Sequence, residues 1–453
     1  MSNDTIDPFT ALPPEIMLNI FTFLDAHSVL NCELVSRSWH TLASAQHIWK
    51  RVFLSEFKAP HHSNLCGLTR SEVNTYREMS WKRRWRVNLA LSKRWVSGTA
   101  GAFYLEGHSD NIYCVQFDDE KIVTGSKDRT IRIWSTRSHR CIHVLGLPTK
   151  DFDPQDMERL PQSPYPVPLT VKCSASRPSY EPERFSLAHD GSILCLQYDD
   201  RILVTGSSDC SLILWIRDSD FHFRPVKRLA AHSKGVLDVC FDEQQIVSCS
   251  KDNSICLWGR KDTQLHKTLT GHRGPVNAVR LKGDLIASAS GDGLVKLWNR
   301  CSGLCIKEFS STSRGLACVE LSFDSRMIWA GGNDHDIYEF NTNTGMLASK
   351  LGTHSSLVRS LYLDGNCGRL LSGSYDNNIK VFPIGSKAGM LNFKNWSASW
   401  ILSVKADYRR IVATTQDRRI IVIDFGYGLD GIGVLDQGCR GVIYSLSDPP
   451  LEV

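Results

Sequence analysis

Residues 124–134 read TGSKDRTIRIW, and the phrase returns as TGSSDCSLILW at 205–215, SCSKDNSICLW at 248–258 and SASGDGLVKLW at 288–298. Each copy sets an Asp six residues before a Trp: Asp128, Asp209, Asp252 and Asp292 precede Trp134, Trp215, Trp258 and Trp298. A His stands 26 residues ahead of each Trp, at His108, His189, His232 and His272. Weaker copies follow. LLSGSYDNNIKVF (370–382) keeps Asp376 and Phe382 behind His354; WAGGNDHDIYEF (329–340) keeps Asp334 and Phe340 but lacks the His. VATTQDRRIIVI (412–423) keeps Asp417 and ends in Ile423. Each unit of about 41 residues alternates β-branched and aromatic residues between Gly, Asp and Ser turns, which reads as four short antiparallel strands. Four-stranded units of this length are propeller blades, so the fold class is mainly β, a seven-bladed propeller.

Within a blade, the Asp can accept from the imidazole, the imidazole can meet a small hydroxyl, and the hydroxyl can take the indole N–H. Repetition at structural spacing makes these His and Asp residues a staple, not acid–base or metal groups. The interval His108–His189 is 81 residues and His272–His354 is 82, two periods each. The degenerate copy at 311–351 fills the second. The first holds 148–183, with prolines 148, 154, 161, 164, 166, 168, 178 and 182 and no strand pattern, so it is expected to be a disordered loop. The run FYLEGH at 103–108 could close the ring on the last blade, at 400–425; GIGVLD at 431–436 competes for that edge or begins an eighth partial blade.

The whole chain has 453 residues and a formal charge of 53 − 48 = +5, too mild to make nucleic acid the main partner. No apolar run reaches the ~18 residues that span a bilayer, and MSNDTIDPFT has no secretory pattern. The expectation is a soluble chain of the cytoplasm and/or nucleus with no membrane partner. Fifteen Cys without a C-x-x-C pair read as small thiols in a reducing compartment. His61, His62 and Cys66 are adjacent but fall short of four ligands, so no metal, no cofactor and no catalytic residue is expected.

Ahead of the repeats the period changes. In LPPEIMLNIFTFLDAHSVLNCELVSRSWHTLA (12–44 without its last residue), Ile16, Ile20, Phe23 and Leu24 share one helical face. Pro13, Pro14 and Glu15 suit a first turn, and Asp25 and Ser28 mark a stop and a cap. Three short helices over 9–56 are too few to bury Trp39, Leu42, Ile48, Trp49, Val52 and Phe53 alone, so an exposed apolar face implies a partner. A linker follows at 57–97. Its 77–95 stretch, REMSWKRRWRVNLALSKRW, carries seven basic residues against one acid, with Trp81, Trp85, Leu89 and Trp95 near helical spacing. It reads as a connecting helix with a solvated basic face, with a nucleic-acid patch or import signal as the other reading.

This N-terminal stretch resembles an F-box, on Leu12, Pro13, Glu15, Ile16, Ile20, Leu24, Leu30, Val35, Ser36 and Trp39. With WD repeats at 98–430 and a tail at 431–453, the chain resembles F-box/WD-repeat proteins of the β-transducin-repeat-containing type. The resemblance implies docking on the Skp adaptor and cullin of an SCF ubiquitin ligase through Leu12, Pro13, Ile16, Ile20, Leu24, Val35 and Trp39. It also implies capture of a phosphorylated or acidic peptide on the propeller for ubiquitination, with no chemistry on this chain.

Two columns of the repeat should face the channel mouth. One precedes each turn Asp: Lys127, Ser208, Lys251, Gly291, Asn333, Tyr375, Gln416. The other opens each innermost strand: Tyr113, Leu194, Leu237, Asn277, Ala317, Arg359, Leu402. The expected substrate-binding set is Tyr113, Lys127, Ser208, Lys251, Asn277, Arg359 and Tyr375, with Arg314 and Arg273 nearby; ordinary solvated loop charges are the plain alternative. YCVQFDDEKIVTGSKD (113–128) is similar to the family's first blade, with Lys127 where an Arg is expected, a point charge in place of a bidentate fork. A WD-repeat scaffold without ubiquitin chemistry and an enzyme on a propeller are the competing functions.

Overall fold

The computed structural model describes residues 12–57, 80–146, 187–219, 221–311, 315–352, 354–365, 367–384, 391–394, 396–430 and 432. They form two compact units, one within 1–100 and 425–453, the other Gly101–Asp424.

The first unit is helical: α1 (Pro14–Thr22), α2 (Ala26–Cys32), α3 (Arg37–Ala43), α4 (Gln46–Glu56) and α5 (Trp81–Ser97). The 12–57 module thus has four helices where three were expected. The fourth arises because Ser36 breaks the second run and caps α3, accepting the Trp39 N–H at 3.3 Å. Asp25 does the same for α2, accepting from Ser28 at 2.9 Å. Pro14 opens α1, where its missing N–H costs nothing. Met17, Phe21, Val29, Ile48, Trp49 and Val52 form the core, and Trp85 of α5 completes it with Trp81 and Leu89 against its side. So the linker helix supplies the cover that four short helices lack. The Trp49 indole donates to Ala43 O at 2.9 Å and the Trp85 indole to Glu56 Oε2 at 2.6 Å. At its C-terminal end Trp95 stacks on Phe425, 3.7 Å between ring centroids, and Arg94 donates to the carbonyls of Phe425 and Tyr427.

The second unit is a propeller of seven four-stranded antiparallel sheets. Six blades run in order at 112–145, 193–230, 236–269, 276–310, 316–352 and 358–393. The seventh takes its three inner strands from 401–424 and its outermost from Gly101–Glu106, which pairs antiparallel with Arg419–Asp424, Leu105 opposite Ile420. The ring therefore closes with 103–106, as FYLEGH suggested; GIGVLD lies outside the described residues except Ile432. The proline-rich 148–183, Arg314, and the His61/His62/Cys66 group also lie outside them. Neighbouring blades bury Val, Ile and Leu against each other, as Val123, Ile131 and Ile133 do with Ile193, Leu203 and Ile213. Such side chains contribute roughly 1.5–3 kcal/mol each on burial. At Gly125 a Cβ would stand 2.6 Å from Ile193 Cγ2 and 2.7 Å from Cys114 Sγ, which is why that strand position carries Gly.

Candidate functional site

Five blades carry the expected staple. His108 Nδ1 meets Asp128 at 2.7 Å, its Nε2 meets Thr124 Oγ1 at 2.8 Å, and the Trp134 indole donates to that hydroxyl at 3.0 Å. The chain recurs through Thr205, Ser248 and Ser288, and without the indole through Ser372. Burial pushes the imidazoles of His108, His232 and His272 below the ordinary histidine value, against the pull of their Asp partners. The rigid turns so formed hold the mouth.

The mouth is built from two repeated backbone devices. Every residue before a turn Asp donates its N–H to the carbonyl preceding the innermost strand: Lys127 to Asn111, Ser208 to Ser192, Lys251 to Gly235, Gly291 to Pro275, Asn333 to Gly315, Tyr375 to Leu357 and Gln416 to Trp400. The second column is a ring of β-bulges. Each of Tyr113, Leu194, Leu237, Asn277, Ala317, Arg359 and Leu402 is the residue at which its inner strand slips register. A bulge leaves one residue unpaired and re-aims its side chain, and all seven line one axial cavity of about 380 Å³.

Deeper in that channel the blades are clamped to each other. Gln116 brackets the backbone of Tyr198, Gln197 that of Phe241, and Arg280 bonds Asp238 at 2.8 Å and Glu320 at 2.9 Å. Burial and the nearby Arg280 lower the Lys405 amine to about 8. Among the described residues no group of three or more His, Cys, Asp or Glu could hold a metal ion, and no helix is long and apolar enough to cross a membrane.

A second cavity of about 290 Å³ opens off-centre, over the third to sixth blades. Leu237, Asn277, Asn333, Leu357, Arg359 and Tyr375 line it, and Gly291, Gly315 and Ala317 leave it room. Three of the proposed substrate contacts thus converge: Asn277, Arg359 and Tyr375. The others are placed differently. Lys127 forms an ion pair with Asp110 at 3.2 Å, the Ser208 hydroxyl accepts from Ser192 N at 2.8 Å, and Tyr113 lines the axial cavity alone. Lys251 is exposed and outside both cavities. Arg359 is half-buried with no carboxylate partner among the described residues, and Lys234, Lys251 and Arg273 also lack one. Sequence reasoning missed Trp400, which stacks on Tyr375 at 4.3 Å and 11° and stays 44% exposed. The available signal was a Trp in a column otherwise holding Asn111, Ser192, Gly235, Pro275, Gly315 and Leu357.

On the helical unit, Leu12, Ile16, Ile20 and Val35 are exposed, and Pro13 with them. Phe23 at 76% and Leu34 at 85% are exposed as well and were not among the expected adaptor contacts. Leu24 and Trp39 instead pack against the module's core, Trp39 tilted on Phe21 at 5.4 Å.

A closed ring of stapled four-stranded blades with side chains aimed at one mouth is a WD-repeat propeller. Family patterns match accordingly: WD domain, G-beta repeat, at 102–135, 181–215, 223–259, 263–299 and 345–382, and F-box-like at 9–55. The chain thus carries an F-box-like segment and WD repeats, and it resembles F-box/WD-repeat proteins of the β-transducin-repeat-containing type. It is 30% identical over 31% of its length to a "Probable E3 ubiquitin ligase complex SCF subunit sconB" of Arthroderma otae, covering 24% of that protein. It is 31% identical over 31% of its length to "F-box and WD repeat domain-containing 11-A" of Danio rerio, covering 28% of it. The chain thus spans about a quarter of these relatives. The solved "WD40 beta propeller domain of Doa1" superposes with TM-score 0.56 at 18% identity, covering 71% of this chain and 95% of that one, a likeness of fold.

Proposed function

We propose that the chain is the substrate-recognition subunit of an SCF-type E3 ubiquitin ligase. Its helical module docks the Skp adaptor and through it a cullin, and its propeller captures an acidic or phosphorylated protein segment for ubiquitination. The observation that carries this reading is the set of exposed apolar residues Leu12, Ile16, Ile20, Phe23, Leu34 and Val35 on a small module that already has a packed core. Relatives named as SCF subunits support it. Capture alone requires no nucleophile here, since the thioester chemistry belongs to other subunits. Arg359 is the anion anchor, because an unpaired, half-buried guanidinium gains most from a carboxylate or phosphate.

Burying a few apolar side chains contributes roughly 1.5–3 kcal/mol each before association costs. Replacing Leu12 and Pro13 by Ala should therefore abolish co-purification with the Skp adaptor while leaving the propeller's thermal transition in place. Undiminished adaptor binding would reject the ligase assignment in favour of a WD-repeat scaffold.

A further inference from the structure

Below the mouth, the inner strands set a second ring in the axial channel. Three residues past each bulge, about 10 Å deeper at a strand's rise, stand Arg280, Glu320, Tyr362 and Lys405. They come from four successive blades and line one cavity. The Lys405 amine lies over the Tyr362 ring, 4.7 Å from its centroid. Its neighbour on the other side, Gln116 of the first blade, is neutral and engaged by the Tyr198 backbone. The cavity's two acids are engaged as well. Asp238 accepts from Val239 N, Val279 N and Arg280, and Glu320 accepts from Arg280 Nε, so one guanidinium holds both carboxylates. Lys405 is therefore a cation with no carboxylate partner among the described residues, and the Tyr362 hydroxyl has no hydrogen-bond partner among them. Of the charged side chains lining the cavity, Arg280, Arg359 and Lys405 outnumber Asp238 and Glu320 by one.

We propose that this deeper section of the channel binds a small, singly charged carboxylate, held by the Lys405 ammonium with the Tyr362 hydroxyl as second donor. One negative charge neutralises the lining, whereas a dianion would leave an excess of its own in a poorly solvated space. The site lies about 10 Å deeper than the ring that carries Arg359, and it takes a free small molecule, not the captured peptide. Without that anion the ammonium is poorly compensated. Burial and Arg280 bring the amine down to about 8, against the pull of Glu320 and Asp238. A bound carboxylate favours the charged amine, so above pH 8 binding must draw a proton onto Lys405. The other titratable groups around it are Tyr113 and Cys114 on the first blade's inner strand, Tyr362 on the sixth and Asp407 in its own turn. Burial keeps the Cys114 thiol and the Tyr362 phenol neutral, and Asp407 changes near 7, below the range in question.

The test titrates the full-length chain with ¹³C-labelled acetate, a carboxylate fully ionised above pH 6, at constant ionic strength. The wild type should bind saturably, and about tenfold more weakly at pH 9 than at pH 7, the ratio set by an amine titrating near 8. Lys405→Met should lose at least tenfold at pH 7. Lys405→Arg should keep binding and lose the pH dependence, because a guanidinium stays charged. Tyr362→Phe should weaken binding several-fold with the pH profile intact, and Asp407→Asn should leave that profile in place. Each variant is checked for an unchanged unfolding midpoint; where Lys405→Met does not fold, Lys405→Arg and the wild-type profile decide. No saturable binding of acetate, equal affinity at pH 7 and pH 9, or a pH profile kept by Lys405→Arg overturns the site. Loss of binding in Arg359→Gln but not in Lys405→Met places the anion at the mouth and overturns it too. Adaptor co-purification does not involve the channel, so each of these results leaves the ligase reading standing.

Discussion

Asp128 satisfies four donors at once: His108 Nδ1, Ser109 N, Thr130 N and the Thr130 hydroxyl. Burial by itself would raise its carboxyl, but the His108 imidazole and the Thr130 hydroxyl hold it well below the usual carboxylate range. His108 and Thr130 are buried, so Asp128→Ala strands donors that cannot turn to water. At ~1–3 kcal/mol for each, the loss should be about 2–5 kcal/mol in denaturant unfolding. Asp417 in the seventh blade has no His to orient and lies partly open, so Asp417→Ala should cost clearly less. Equal losses at the two sites would show that the staple contributes nothing beyond its turn. Asp407 is the opposite case. Burial, reinforced by Asp119 and opposed by Arg410, raises its carboxyl from 3.8 to about 7. A folded value above the unfolded one means that the stability it confers is fully present below pH 3.8 and is lost as pH rises through 7. Asn cannot ionise. Asp407→Asn should therefore gain stability relative to the wild type between pH 5 and pH 8, read as unfolding midpoints at the two values. A constant difference would refute the shift.

At the scale of elements, what could be read ahead was whatever repeats. The two mouth columns, the staples and the blade count follow from period and residue type, because seven copies of one hairpin geometry put equivalent positions in equivalent places. What escaped depends on pairing partners that no single copy displays. The bulge at Arg359 exists only because Val358 pairs Ser374 while Ser360 pairs Gly373, and alternation within the inner strand does not announce it. Lys127 reads as a free cation until the turn brings Asp110 to 3.2 Å. The extra helix of the N-terminal module hinges on the Ser36 cap, whose role shows only once its hydroxyl meets the Trp39 N–H. Leu24 and Trp39 turn inward instead: Leu24 lies past the end of α1, in the turn before the Asp25 cap, and Trp39 sits on α3 against Phe21. Left-handed turn residues show the same dependence. Arg129, Cys210, His335 and Arg418 all follow a turn Asp with φ of 68–71°, although only Gly, Asn and Asp adopt that region readily. The turn, fixed by its Asp, overrides the residue's own preference.

At the scale of the molecule, the propeller is a ring whose last joint is its most non-local one: Gly101 pairs with Asp424. Every other sheet is made from one continuous stretch of chain. This predicts an asymmetry between two changes. The first blade's outer strand ends at Leu145 and the second blade's inner strand begins at Ile193, so all seven sheets are complete without the intervening residues. Removing 149–183 should leave a single cooperative unfolding transition, because chain closure depends only weakly on loop length. Leu105 sits in the closing strand with 0% of its surface exposed, opposite Ile420. Leu105→Asp places an unpaired charge in that joint and uncovers the edge of Arg419–Asp424, at a cost of several kcal/mol, roughly 3 or more. The single substitution should thus lower the unfolding midpoint far more than the loss of 35 residues. If the deletion unfolds the protein, the count of seven blades fails. If Leu105→Asp leaves the midpoint where it was, Gly101–Glu106 is not the strand that closes the ring.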